Sequence, residues 1–77
     1  MPVTVLFFGP LTDVTGIREL TIENITDTDG LKRHLHAHYP TLVKTRYILA
    51  VDKQITNENT ALKSNETVAL LPPYAGG

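Results

Sequence analysis

The chain has 77 residues, which is enough for one domain but not for a second hydrophobic core. Its net charge is −1 and its seven Lys and Arg residues are scattered apart from Lys32-Arg33, so the basic stripe of a nucleic-acid-binding protein is missing. It contains no cysteine, which excludes disulfides, thiolate metal sites and a cysteine nucleophile. There is no positively charged leader and no apolar run of the ~20 residues that span a bilayer, so we expect a cytoplasmic protein.

Two strands are predicted in the first part of the chain. Residues 3–8, VTVLFF, are mostly β-branched or aromatic, which is typical of a strand, and Gly9-Pro10 ends it. Residues 17–22, IRELTI, alternate apolar and polar side chains and predict a second strand. We expect the connection between these strands, which Gly16 closes, to be irregular.

One helix is predicted next. Thr26 followed by Asp29 fits a capping box at its start, and Pro40 marks its end. Apolar side chains recur along this segment at helical spacing and form a single stripe, composed of Leu31, Leu35, Tyr39 and Leu42. Such a stripe predicts a helix that packs one face against the rest of the domain.

Three further strands are predicted after the helix. Residues 46–51 and 67–71 are rich in apolar side chains, and residues 54–56 form a short strand after a turn at Asp52-Lys53. Asn65 suits a left-handed turn position just before the last strand. The order predicts a single α+β domain over residues 1–77, with one main helix across one face of a mixed sheet.

The two central strands indicate that one face of this sheet is a partner site. Val5-Leu6-Phe7-Phe8 and Val68-Ala69-Leu70-Leu71 are apolar throughout, as in strands buried on both sides. A single helix can cover only one side. Exposed apolar surface often marks a binding site, so we favour a partner on the uncovered face over cover by loops.

Few side chains offer catalytic or metal-binding chemistry. His34 and His38 lie four residues apart around His36, the spacing of a two-histidine metal pair, but no motif supplies a third ligand. Imidazoles also suit the end of a helix, and Asp27 and Asp29 are better explained by its start than by acid–base catalysis. We therefore expect no metal site and no catalytic side chain.

The last segment, LLPPYAGG, differs from an ordinary frayed terminus. Pro72 and Pro73 lack the N–H group that a sheet requires, so we expect them to end the last strand and stiffen the exit as polyproline II. Gly76 and Gly77 have no Cβ and can pass through a narrow channel. We expect residues 72–77 to form a flexible tail of about 20 Å when extended, with the Gly77 carboxylate as its reactive group.

Four stretches carry a family resemblance that runs nearly from end to end. They are VLFFGPLTDVTG near the start, LAVDKQ after the third strand, LKSNETVALL before the last strand, and PPYAGG, which is the most specific. In these stretches the chain resembles the ubiquitin-like β-grasp sulfur carriers of the MoaD/ThiS family. It is most similar there to the small subunits of molybdopterin synthases.

The resemblance implies a carrier without catalytic side chains or a bound cofactor of its own. A ubiquitin-activating-type adenylyltransferase would use ATP and magnesium to adenylate the carboxylate of Gly77, and a sulfur donor would convert it to a thiocarboxylate. The large subunit of molybdopterin synthase, in a heterotetramer of two small and two large subunits, would supply the catalytic residues and build the molybdopterin dithiolene. The positions that the resemblance assigns to partner binding are Phe7, Pro72, Pro73, Tyr74, Ala75 and Gly76.

Two departures from the family pattern and three alternatives accompany this interpretation. Tyr74 stands where the family usually has a small apolar residue such as valine, and Asp52-Lys53 replaces a turn that usually contains asparagine. The carboxylate could instead be joined to lysines of target proteins, as in ubiquitin. It could also carry sulfur for thiazole synthesis or tRNA thiolation, or the domain could be a β-grasp binding module with an inert tail.

Overall fold

The computed structural model describes residues 2–76, in which five strands form one sheet and the helical segments between residues 10 and 44 pack on one of its faces. The strands are β1 (Val3–Phe7), β2 (Glu19–Ile22), β3 (Ile48–Val51), β4 (Gln54–Thr56) and β5 (Thr67–Leu71). The α-helices are α1 (Pro10–Thr15) and α2 (Thr28–His38), and 3₁₀ helices span Pro40–Lys44 and Pro73–Gly76. Within this part of the chain, no helix is long and apolar enough to cross a bilayer.

The sheet is mixed, as predicted, and its strand order is β2-β1-β5-β3-β4. β1 runs parallel to β5, which places Val5 opposite Val68 and Phe7 opposite Leu70, while every other pair is antiparallel. β5 is therefore the central strand. Because the chain continues directly from β5 into its C-terminal segment, that segment leaves from the middle of the sheet.

The hydrophobic core lies between the sheet and the helical segments. Leu31 and Leu35 of α2 are fully buried, which confirms the apolar stripe for these two residues. Leu42 is also fully buried, but it reaches the core from the 3₁₀ helix, so its prediction as part of α2 was wrong. The ring of Pro40 disfavours the α conformation at the preceding residue, Tyr39. The helix α2 therefore ends at His38, and the chain turns at Tyr39, where φ is −129°.

The connection between β1 and β2 is a short helix, α1, and its prediction as irregular chain was wrong. Pro10 occupies the first turn, where its missing N–H group costs nothing. Gly16 caps the end in the left-handed conformation, with φ 79° and ψ 4°. Leu11 contributes a buried side chain to the core. A proline at the start and a glycine at the end are the local signal of such a helix.

The start of α2 is tied to the long loop that precedes β5. Asp27, rather than the predicted Thr26, is the N-cap, and its Oδ1 accepts a hydrogen bond of 2.8 Å from the Gly30 N–H. The Asn59 side chain accepts from the Asp29 N–H at 2.9 Å and donates to Asp27 Oδ2 at 3.3 Å. These bonds hold the loop against the helix start.

Candidate functional site

The face of the sheet opposite α2 is left open, and Phe7 does not lie on it. Phe7 is only 3% exposed, and its ring packs edge-on against Tyr39 with the ring centroids 6.3 Å apart. Phe8 is 44% exposed. Phe7 therefore faces the core, which contradicts the prediction that its side chain lies at a partner surface, and Phe8 lies on the open side because successive side chains of a strand point to opposite faces.

The open face is apolar across four strands. Leu6 is paired with Ala69, Ala69 with Ala50, and Ala50 with Ile55, so these side chains form a continuous row. A shallow cavity of about 490 Å³ lies on this side of the sheet, with Asp52 and Lys53 at its rim. We use the name open face for the apolar group formed by Leu6, Phe8, Ile48, Ala50, Ile55, Ala69 and Leu71.

This surface confirms the prediction that the helices cover one side of the sheet and leave an apolar opposite side. Its exposed members include Phe8 and Ile55, which are 44% and 48% exposed. Sequence reasoning missed Phe8 as the surface aromatic residue. Thr4 could have indicated which side of the strand is open, because it is polar and lies on the same side as Leu6 and Phe8. Partner binding by the open face stays a prediction.

The C-terminal segment begins beside the open face. Phe8 donates its N–H to the Leu70 carbonyl at 3.1 Å, which extends the β1–β5 ladder to the end of β5. Pro72 follows and is buried. Gly9 lies against it, so that a Cβ on Gly9 would be 3.5 Å from Pro72 Cγ. The fold therefore fixes the point at which the tail leaves the domain.

Beyond Pro72 the chain differs from the polyproline II conformation that we predicted. Pro73–Gly76 forms a 3₁₀ helix, whose φ values are compatible with the proline ring. The Tyr74 side chain is 74% exposed and so is available for contact with another molecule. Gly77 lies outside the described residues. Its role as the sulfur acceptor, the flexibility of residues 72–77 and the binding roles of the tail residues therefore stay predictions.

The three histidines lie on α2, on the other side of the sheet. The rings of His34 and His38 are stacked with centroids 4.3 Å apart, and His38 Nδ1 lies 3.0 Å from the His34 carbonyl oxygen. His36 instead contacts Tyr47. Among residues 2–76, no group of three or more His, Cys, Asp and Glu side chains is placed to hold a metal ion.

One main helix across a five-stranded mixed sheet with a parallel β1–β5 pair at its centre defines a β-grasp domain with the ubiquitin-like fold. The sequence profile of the ThiS family matches residues 5–77. This chain belongs to that family, which confirms the family resemblance seen in the sequence.

Known proteins agree with this assignment. A curated relative, the molybdopterin synthase sulfur carrier subunit of Caenorhabditis briggsae, is 37% identical over 81 residues, which cover 97% of this chain and 96% of the relative. A Helicobacter pylori complex of subunits 1 and 2 of molybdopterin-converting factor contains a chain that is 28% identical, with a TM-score of 0.75 and full coverage of both chains. The small archaeal modifier protein 1 of Methanosarcina acetivorans has a TM-score of 0.81 at 21% identity, covering 99% of this chain and 96% of its own.

Proposed function

We propose that this chain is the sulfur carrier subunit of a molybdopterin synthase and acts in molybdenum cofactor biosynthesis in the cytoplasm. The observation that carries the proposal is the nearly end-to-end match to a relative that bears this name. The ThiS family profile also extends through Gly77, the residue to which we assign the reactive carboxylate. The described part of the chain contributes the anchored start of the tail and the apolar open face beside it.

The chemistry takes place on a main-chain carboxylate, so the carrier itself needs no cofactor. A carboxylate oxygen of Gly77 attacks the α-phosphate of ATP on the activating enzyme, where magnesium assists and pyrophosphate leaves. A sulfur nucleophile then attacks the acyl carbon and displaces AMP, which gives the thiocarboxylate. Transfer of that sulfur to the pterin precursor, with water restoring the oxygen, returns the carboxylate. The catalytic side chains belong to the activating enzyme and to the large subunit.

The arrangement of the tail and the open face favours a single docking mode for both partners. Because Pro72 is buried against Gly9, the tail starts from a fixed point next to Phe8. A protein that covers the open face is therefore positioned to receive residues 73–77. The activating enzyme and the large subunit would compete for this surface. In the synthase, two carriers would bind two large subunits and deliver the two sulfurs of one dithiolene.

Intact mass spectrometry tests the chemical step. The full chain is incubated with its activating enzyme, ATP, magnesium and sulfide, and we expect the mass gain of one oxygen replaced by sulfur, localised by fragmentation to Gly77. A variant with one residue added after Gly77 is the control, because its reactive carboxyl is locked in an amide while the packed core is unchanged. Sulfur at another residue, or charging of the extended variant without prior trimming, would contradict the proposal.

Protein modification remains the competing use of the same carboxylate. It shares the activation step and differs in the final nucleophile, a lysine amine in place of a sulfur source. The likeness to the archaeal modifier concerns the fold alone, since the identity is 21%. Adding the large subunit and pterin precursor to the activated carrier separates the two functions. We expect dithiolene formation, whereas isopeptide-linked products without dithiolene would favour modification.

A further inference from the structure

A second cavity, polar in character, lies between α2 and the β3–β4 edge of the sheet. Its volume of about 330 Å³ is at the lower end of the range of small-ligand pockets, roughly 300–1,000 Å³. Ile48 and Leu49 contribute to its lining, which contains no carboxylate. The polar side chains around it are Lys32, His36, Tyr47, Thr56 and Asn57.

The surrounding segment favours a negatively charged ligand. Residues 30–51 include four of the seven Lys and Arg residues and all three histidines, but no Asp or Glu. All eight acidic residues lie outside this segment in sequence, although Asp27 is close enough to Arg33 for the guanidinium to contribute to lowering its pKa. Lys32 lines the cavity, and a cationic side chain at a cavity without carboxylates raises the local concentration of anions.

The contact between His36 and Tyr47 positions the phenol hydroxyl at this cavity. His36 Nε2 lies 2.7 Å from Tyr47 Oη, and burial raises the pKa of the Tyr47 phenol, so the hydroxyl keeps its proton. In the tautomer that carries its hydrogen on Nε2, His36 donates to Tyr47 Oη and leaves the Tyr47 O–H free to donate to an anion. Thr56 is already engaged, because its hydroxyl donates to the Glu58 carbonyl at 2.9 Å.

We propose that this cavity is an oxyanion-binding site in which Lys32, Tyr47 and Asn57 hold the anion and His36 orients the Tyr47 hydroxyl. The other titratable groups facing His36 in the cavity are Lys32 on α2 and Tyr47 beside β3. His34 and His38 stack on each other instead. The ligand is a sulfate-like or phosphate group of a small molecule, or a carboxylate of a bound protein. Apart from Ile48, the residues that line this cavity lie outside the open face, and the site does not depend on the sulfur-carrier function.

NMR titration of the full chain with sodium sulfate tests the site, against sodium chloride at equal ionic strength. We expect saturable shifts at His36, Tyr47 and Asn57 that sodium chloride does not produce. A parallel titration with acetate separates the ligand sources. Tighter sulfate binding favours a small-molecule phosphate or sulfate, and equal or tighter acetate binding favours a carboxylate side chain.

Matched variants make the test specific. Lys32→Met and Tyr47→Phe should each weaken sulfate binding several-fold, because each removes a donor from the cavity. Lys44→Met removes a lysine from the same cationic segment but outside the cavity, so it should bind as the parent does. Shifts no larger than those with chloride would overturn the proposal. Equal losses in Lys32→Met and Lys44→Met would also overturn it, since they would indicate only general attraction to the segment.

Discussion

Replacing Phe7 by alanine should destabilise the domain far more than replacing Phe8, its neighbour in sequence. Phe7 is 3% exposed, so its truncation leaves a cavity and should cost about 3–5 kcal/mol. Phe8 is 44% exposed, and solvent can fill the space that it leaves. Full burial of a phenylalanine contributes about 1.5–3 kcal/mol, so Phe8→Ala should cost about 1 kcal/mol. A domain of this size has about 4–12 kcal/mol in total, so the first loss is severe and the second is not.

Urea unfolding followed by circular dichroism measures both free energies. The two variants should share the slope of the parent and differ in midpoint. Phe7→Leu serves as a milder control, because it keeps most of the buried volume and should fall between Phe7→Ala and the parent. Equal costs for Phe7→Ala and Phe8→Ala, or a larger cost for Phe8→Ala, would refute the register of β1 described above.

Three further predictions concern the tail exit, the start of α2 and the open face. Gly9 has φ 56° and ψ −135°, a conformation that suits only glycine, so Gly9→Ala should cost about 1–3 kcal/mol of stability. Gly9→Ala should also lower the Tm more than Gly16→Ala does, because Gly16 has φ 79° and a Cβ added there would have no atom within 4 Å. Hydrogen bonds from the Gly30 N–H and, to a smaller extent, from the Asn59 side chain lower the pKa of Asp27 in the folded protein. The ionised carboxylate therefore stabilises the fold above the pKa that Asp27 has in the unfolded chain, and this contribution is lost as pH falls through its pKa in the folded chain. Asp27→Asn should therefore make urea midpoints less pH-dependent below about pH 5. Phe8→Asp should weaken binding to the large subunit about tenfold or more in calorimetry, since it places a charge within an apolar contact.

Each of these three has a result that would contradict it. A smaller loss for Gly9→Ala than for Gly16→Ala would show that the backbone of Gly9 is not strained for other residues. An unchanged acid dependence in Asp27→Asn would remove the capping carboxylate as its source. For the open face, Val43→Asp is the matched control, because Val43 is 64% exposed and belongs to the 3₁₀ helix Pro40–Lys44. Equal effects of Phe8→Asp and Val43→Asp on binding would argue against the open face as the docking surface.

The sequence by itself determined the features that depend on local chemistry. The stripe of Leu31 and Leu35 specified a helix with one buried face, and the bounds of β4 and β5 agree with the predicted strands. Asn65 adopts the predicted left-handed conformation, with φ 66°. Pro72 ends the last strand because it has no N–H group for the ladder. Each of these outcomes follows from the residue and its near neighbours in the chain, and the PPYAGG segment pointed to the family in the same way.

The tertiary structure decided which side of β1 faces the core. VLFF is apolar at every position and does not distinguish Phe7 from Phe8, so Thr4 is the single polar residue of the strand that indicates the alternation. Pairing of β1 with β2 and β5 sets that register, and a shift of one residue would exchange the two faces. The cavity beside His36 likewise needs Tyr47 and Asn57, which lie just before β3 and just after β4 and meet α2 only when the sheet forms. Such contacts join residues that are distant in sequence, and their geometry comes from packing the whole domain.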